Sequence, residues 1–324
     1  MRQCCHFYCL KGERCTILGR IMGAVHGVYL KYVGLSAISF AGLQLVLGNI
    51  GPMEPLPLSS DSMVLATSSG SSSITPLLRL GTAYVLSYSA MLNGLIAVLF
   101  KLRRGMSLIG KDKEKGTIPM WSYALFFPFH IPTYAYTYVH TKNGMMKPYL
   151  KDAAEGKPKQ SIAKIPVPVA SEVQPGWWVG GCYAYQLNKK WAGIVDLTVE
   201  FPEKCRPDTM RYLCLPTWDG VPCSPEQLEK AAIFCVEARE EWARRKEKGT
   251  VEGEPQILIH CAHGRGRSTT VMCAALVKMG MYSNYEDALE KGIKPGRPCC
   301  KLNKMMRTSL AEWQRIYIDG KKGI

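Results

Sequence analysis

The chain has 324 residues, with 41 Lys and Arg against 26 Asp and Glu and a formal net charge of +15. Residues 1–159 hold 17 of the basic and only 7 of the acidic residues; that half is strongly apolar and carries no nucleic-acid module, which excludes a nucleic-acid partner and leaves a membrane. The 13 cysteines show no disulfide-framework spacing, which excludes a small secreted scaffold and fits a reducing compartment.

Residues 1–32 form a basic N-terminus in which Cys4, Cys5, Cys9 and Cys15 sit among Arg and Lys, a setting open to palmitoylation. A secretory signal does not fit, because the first apolar stretch starts late and no small-residue cleavage site follows it. Residues 33–100 read as two membrane-spanning helices. Val33 to Ile50 runs 18 residues without a charge and Leu80 to Phe100 runs 21, each long enough to cross a bilayer. Arg2, Lys11, Arg14, Arg20 and Lys31 precede the first span, and Lys101, Arg103, Arg104, Lys111, Lys113 and Lys115 follow the second. The Ser/Pro-rich loop between them, Gly51 to Arg79, holds one basic residue. Cytoplasmic flanks are the basic ones, so the expectation is an integral membrane hairpin with both ends in the cytosol.

Residues 101–160 are a basic loop, a third apolar segment and a linker. Ile118 to Val139 is broken by Pro128 and Pro132 and carries eight aromatics between Trp121 and Tyr138. Aromatics concentrate at membrane interfaces, which predicts a re-entrant or interfacial segment rather than a crossing. Lys142 to Gln160, with its Lys, Gly and Pro, reads as the linker.

Residues 161–324 alternate strand and helix patterns. Strands are predicted at 176–180, 193–197, 211–215 and 256–260, and helices at 225–246, 267–279, 285–291 and 302–318. This alternation implies an α/β domain whose sheet is mainly parallel and flanked by helices. Its most informative stretch is Ile257 to Thr270. Three apolar residues lead through His260 to Cys261, the glycine-bearing loop Ala262-His263-Gly264-Arg265-Gly266 follows, and Arg267 opens an apolar helix. A strand feeding a tight loop at a helix N-terminus makes an anion site, because amides of residues 262–267 turn inward and the helix dipole favours negative charge. The same field acidifies Cys261 into a nucleophilic thiolate, and Arg267 is placed to grip two phosphate oxygens.

The spacing of Cys and Arg alone is weak evidence. Cys205 and Arg211 repeat it, but that stretch has no glycine, no preceding apolar strand, and a proline that removes a needed donor. A zinc site built on His260, Cys261 and His263 is disfavoured, since adjacent ligands strain a tetrahedron and no second ligand pair appears. Neither a metal nor a cofactor is expected.

His260-Cys261-x-x-Gly264-x-x-Arg267-Ser268 resembles the signature of the cysteine-based protein tyrosine phosphatase superfamily, and residues 165–320 resemble its dual-specificity branch. Trp177-Trp178-Val179-Gly180-Gly181 is similar to the entry strand of such domains, Gly193 to Thr198 to the second strand, and Arg297-Pro298 to the segment before the last helix. The resemblance implies a two-step reaction through a phosphocysteine, without metal, and an aspartate acid on a loop after a strand. Here that loop is Thr217-Trp218-Asp219-Gly220-Val221-Pro222, with Asp219 as general acid and Asp208 as the other candidate. Trp218 abuts Asp219 with no proline between them, and no glutamine-rich water-positioning motif follows. Both departures point away from the classical tyrosine-specific members. His260 is expected to brace the loop, Ser268 to donate to the thiolate, and His263 and Arg265 to add positive charge. A phosphoprotein is the default substrate and a phosphoinositide or phospholipid head group the alternative. A non-catalytic phospho-ligand binder and a membrane scaffold are the readings of another class.

Overall fold

The computed structural model describes residues 28–48, 74–149 and 163–320; the N-terminal cysteines, most of the 51–79 loop and the centre of the linker lie outside them. Two long helices, α1 (Val28–Gly48) and α2 (Ile74–Leu102), are long and apolar enough to cross a bilayer. They pair antiparallel. Ser36 Oγ donates to the Ala90 carbonyl at 2.7 Å and Ser39 Oγ meets Ser89 Oγ at 3.0 Å, while a side chain at Gly94 would meet Ser36 Oγ at 3.4 Å. Small residues and hydroxyls on the shared face are how helices associate where no hydrophobic drive exists between them. Outward residues remain bare, with Ile38 72 % and Met91 75 % exposed. Both helices extend beyond the uncharged runs, so Lys31 and Tyr32 belong to α1 and Leu102 to α2.

Two short helices follow, α3 (Met120–Leu125) and α4 (Phe127–Asn143). Pro128 falls in the first turn of α4, where its missing N–H costs nothing. The C-terminal unit holds a five-stranded sheet: β1 (Ala170–Gln174), β2 (Trp177–Gly180), β3 (Trp191–Thr198), β4 (Thr209–Thr217) and β5 (Ile257–His260). The order is β1-β2-β5-β3-β4, antiparallel only between β1 and β2. The mainly parallel sheet and the four predicted strands are borne out. β1 is an addition, an edge strand whose Ser, Glu and Gln give no apolar run.

β5 lies at the centre, and Ile257, Leu258 and Ile259 are fully buried, each worth ~1.5–3 kcal/mol of transfer free energy. Helix α5 (Pro225–Glu247) starts on a capping box. Ser224 and Gln227 exchange side-chain and backbone hydrogen bonds, and Pro225 follows at the first helical position. Helix α6 (Arg267–Lys278) has no side-chain cap, so its first amides stay free for an anion. Helix α7 (Lys304–Gln314) is capped by Asn303 Oδ1, which accepts from Met306 N at 2.7 Å. The helix predicted at 285–291 is a short turn, Tyr285–Asp287, that widens over Ala288–Ile293.

Trp218 and Lys111 are two of the points at which the hairpin segment is fastened to the C-terminal unit. Trp218 is fully buried, stacks on Phe100 of α2 with centroids 4.4 Å apart, meets Phe129 of α4 edge-on at 5.9 Å, and donates from Nε1 to the Arg104 carbonyl at 2.7 Å. Lys111 is the second. Its ammonium donates to Asp196 Oδ2 at 2.5 Å, to Thr198 O and Oγ1 at 2.8 Å each, and to Phe201 O at 2.6 Å. Both members of the ion pair are buried. Removing one partner leaves an uncompensated buried charge. Lys111→Met is therefore expected to cost about 3 kcal/mol, read as a lower unfolding temperature of the detergent-solubilised chain. Adding Asp196→Asn should recover part of the loss, and additive losses would show that the pair is not coupled.

Candidate active site

β5 delivers Cys261 to the floor of a loop whose carbonyls all face away from it. Ala262 O accepts from Cys182 N at 3.1 Å, His263 O from Arg297 Nη2 at 3.1 Å, Gly264 O from Arg297 Nε at 2.8 Å, and Arg265 O from Lys301 N at 2.8 Å. Across a trans peptide the amides then turn the other way, around the Cys261 sulfur. Gly264 has φ +66°, and a side chain there would come within 2.6 Å of the Gly180 backbone. Only glycine fits. Gly266, at φ −124°, is not in the left-handed region, so the second loop glycine supplies space beside Met306 and not a special backbone angle.

Cys261 is buried, and burial by itself would push its thiol up. The Arg267 charge, the Ser268 hydroxyl 3.4 Å away and the amides of Ser268 and Arg265 outweigh it and bring the thiol below its ordinary value. The competing cysteine behaves oppositely. Burial, then the Glu203 carboxylate, pushes the Cys205 thiol up, and it stays neutral.

Arg267 is also buried, yet held charged by Glu200 first and by Asp219. Glu200 takes the end of the guanidinium, accepting from Nη2 at 2.6 Å and Nη1 at 3.2 Å, while Thr217 O takes Nη1 at 2.6 Å. Of five N–H bonds this leaves the side-on pair, Nε–H and one on Nη2. Nε is buried and without a protein partner. That pair lies side by side with its direction set by Glu200, the arrangement a bidentate anion contact requires.

Asp219 closes the site from the loop after β4, with Oδ1 3.5 Å from Arg267 Nη2 and a side chain 40 % exposed. Burial raises its carboxyl, but Arg267 outweighs that and holds it below the usual carboxylate range. Asn303 steadies the loop by donating to Gly220 O at 3.0 Å, and the Trp218 stack anchors its other side. Asp208 stands before β4, a nine-residue strand away from Asp219.

Beneath the loop His260 Nε2 bonds Glu203 and lies 3.7 Å from Asp196. Burial opposes its charge, but those two carboxylates lift its pKa to about 9, so the brace is an imidazolium. Asp196, Glu203 and His260 are side chains of metal-ligand type, yet the Lys111 ammonium and this imidazolium already supply the positive charge. His263 differs from expectation. Desolvation lowers its pKa to about 4, so it lines the site as a neutral ring and Arg265 carries the charge there.

Glu200, Glu203 and Lys111 are site-building residues that the local sequence does not announce, whereas Asn303 ends the segment that Arg297 and Pro298 begin. Arg297 belonged to a recognisable segment, but its clamp on two loop carbonyls needs the tertiary structure.

The fold therefore sets a cysteine at the end of a central parallel strand, a loop with its carbonyls turned outward, and an arginine at the start of the helix behind it. Similar solved structures include human DUSP28, 19 % identical over 47 % of this chain and 96 % of that chain with a TM-score of 0.36. They include a mouse putative dual specificity phosphatase complexed with zinc tungstate, 19 % identical over 51 % and 96 % with a TM-score of 0.37. PTPMT1 in complex with PI(5)P is 17 % identical over 48 % and 99 %, with a TM-score of 0.35. No family model and no curated protein matches the chain. With overlays this partial, the chain's own residues carry the chemistry.

Proposed function

We propose that this protein is a membrane-anchored, cysteine-dependent phosphatase of dual-specificity type that hydrolyses phosphate monoesters. The observation that carries it is the pairing of an acidified Cys261 with the unsatisfied side-on face of Arg267, in a loop whose carbonyls are all pinned outward. The Cys261 thiolate attacks phosphorus, the P–O bond to the leaving group breaks, and Asp219 gives that oxygen its proton. Arg267 and the amides of residues 262–267 bind the three equatorial oxygens. In the second step Asp219, now a carboxylate, takes a proton from water as it attacks the phosphocysteine. Ser268 hydrogen-bonds the departing sulfur.

Anchoring is supported by α1 and α2, whose bare outward residues would be costly in water. Basic flanks support a cytosolic catalytic unit, and the thiolate needs a reducing compartment. Phosphoproteins and phospholipid head groups both offer the monoester this chemistry requires. The test is to quench turnover in acid and digest. A phosphorylated peptide containing Cys261, formed in the presence of EDTA, is expected; turnover with no such peptide would remove the covalent mechanism.

A further inference from the structure

The mouth of the loop is built by the ends of the two apolar helices. Tyr32 precedes the uncharged run of α1, and its hydroxyl meets Thr133 of α4 at 3.3 Å. Its ring packs on Phe100, the last uncharged residue of α2, and on Phe129, with centroids 5.0 and 5.6 Å apart. Those rings hold Trp218, the neighbour of Asp219. Lys31 stands 3.9 Å from the centroid of the Tyr136 ring, and Tyr136 meets the His263 ring of the anion loop at 5.8 Å. The acid loop and the anion loop thus both touch the level at which the hairpin leaves the hydrocarbon. On that level Lys31, Lys101, Arg103 and Arg104 are exposed, and α3 and α4 expose Trp121, Leu125, Ile131 and Val139. Exposed apolar residues beside exposed cations suit the boundary between acyl chains and head groups.

We infer that the monoester this site takes belongs to a lipid of the same bilayer, presented sideways from the head-group layer. The inference rests on the phosphatase reading. The head-group region is only about 5–8 Å deep on each side of the hydrocarbon core, so a lipid phosphate lies at the height of Tyr32 and Phe100 without leaving the membrane. A phosphorylated protein side chain would have to bring its flanking backbone across a rim formed by helix ends. Lys31 supplies a counter-charge for the incoming head group.

The test uses the full chain in phosphatidylcholine vesicles carrying phosphatidylinositol monophosphate or phosphatidylglycerophosphate. It compares phosphate release with that from the water-soluble head groups, inositol phosphate and glycerol phosphate, and from a phosphotyrosyl peptide. The membrane lipid is expected to exceed both by about 100-fold or more in kcat/KM. Lys31→Gln should lower the ratio of lipid to p-nitrophenyl phosphate turnover about fivefold, the loss of ~1 kcal/mol of surface attraction. Head groups hydrolysed as well as the lipid, a preferred phosphopeptide, or an unchanged ratio would each overturn the lipid assignment. If p-nitrophenyl phosphate is turned over and no lipid is, the phosphatase reading stands and this inference falls. If neither is turned over by folded protein, both fall.

Discussion

Cys261→Ser is expected to lower kcat for any phosphate monoester by about 10⁶-fold, the order of loss when a covalent nucleophile is removed. The cause is acidity. The field of Arg267, the Ser268 hydroxyl and the loop amides favours the anionic form of a thiol, whereas a hydroxyl starts far more basic and gains much less from the same field. The substitution changes one atom on a buried side chain, so the carbonyls pinned by Arg297, Cys182 and Lys301 keep the loop in shape. Unfolding temperature and its rise on adding inorganic phosphate should therefore survive while turnover and the phosphorylated peptide vanish. A variant retaining more than about a hundredth of wild-type kcat would mean that another group attacks phosphorus, which the loss expected of a nucleophile excludes.

Asp219→Asn carries the second large effect, and its pH dependence is the sharper test. Loss of a positioned general acid costs about 10²–10⁴-fold. The full loss is expected with alkyl phosphates, whose leaving oxygen needs a proton, and less with p-nitrophenyl phosphate, which leaves as a stable anion. Arg267 holds the Asp219 carboxyl below the usual range, so its acid form is depleted as pH rises, and wild-type kcat/KM should fall on the alkaline side. The Cys261 thiol is lowered too, which moves the rising limb to lower pH than an ordinary thiol would give. In the Asn variant the falling limb should disappear while the rising limb stays. Persistence of the falling limb would assign it to another group and leave Asp219 as a structural partner of Arg267.

Much of this site was legible in the chain. The Ile257–Ser268 stretch holds strand, loop and helix within a dozen residues, so local pattern and covalent connection suffice to place the candidate nucleophile, the amides and the arginine together. Asp219 lies further away, but its strand-then-turn context marked it. Glu200 and Glu203 were not legible, because a carboxylate two or five residues past a strand means nothing until the sheet brings it beneath Arg267 and His260. Lys111 looked like one more flanking charge of the hairpin and is in fact buried on Asp196. His263 looked like added positive charge and is held neutral by burial.

By itself the sequence determined the elements and the chemistry: which segments are apolar enough to span, which strands run in parallel, which thiol sits under an anion loop. These follow from short-range patterns of polarity and backbone freedom, read over a few residues at a time. The tertiary structure decided the charge states, the direction of the Arg267 grip, and the docking of Trp218 and Tyr32 that brings the mouth of the site to the helix ends. Apart from Cys261, whose acidity is set within its own loop, each of those depends on burial and on partners about 45 to nearly 120 residues away in the chain. Desolvation and pairing energies are set by distance in space, which a linear sequence does not record.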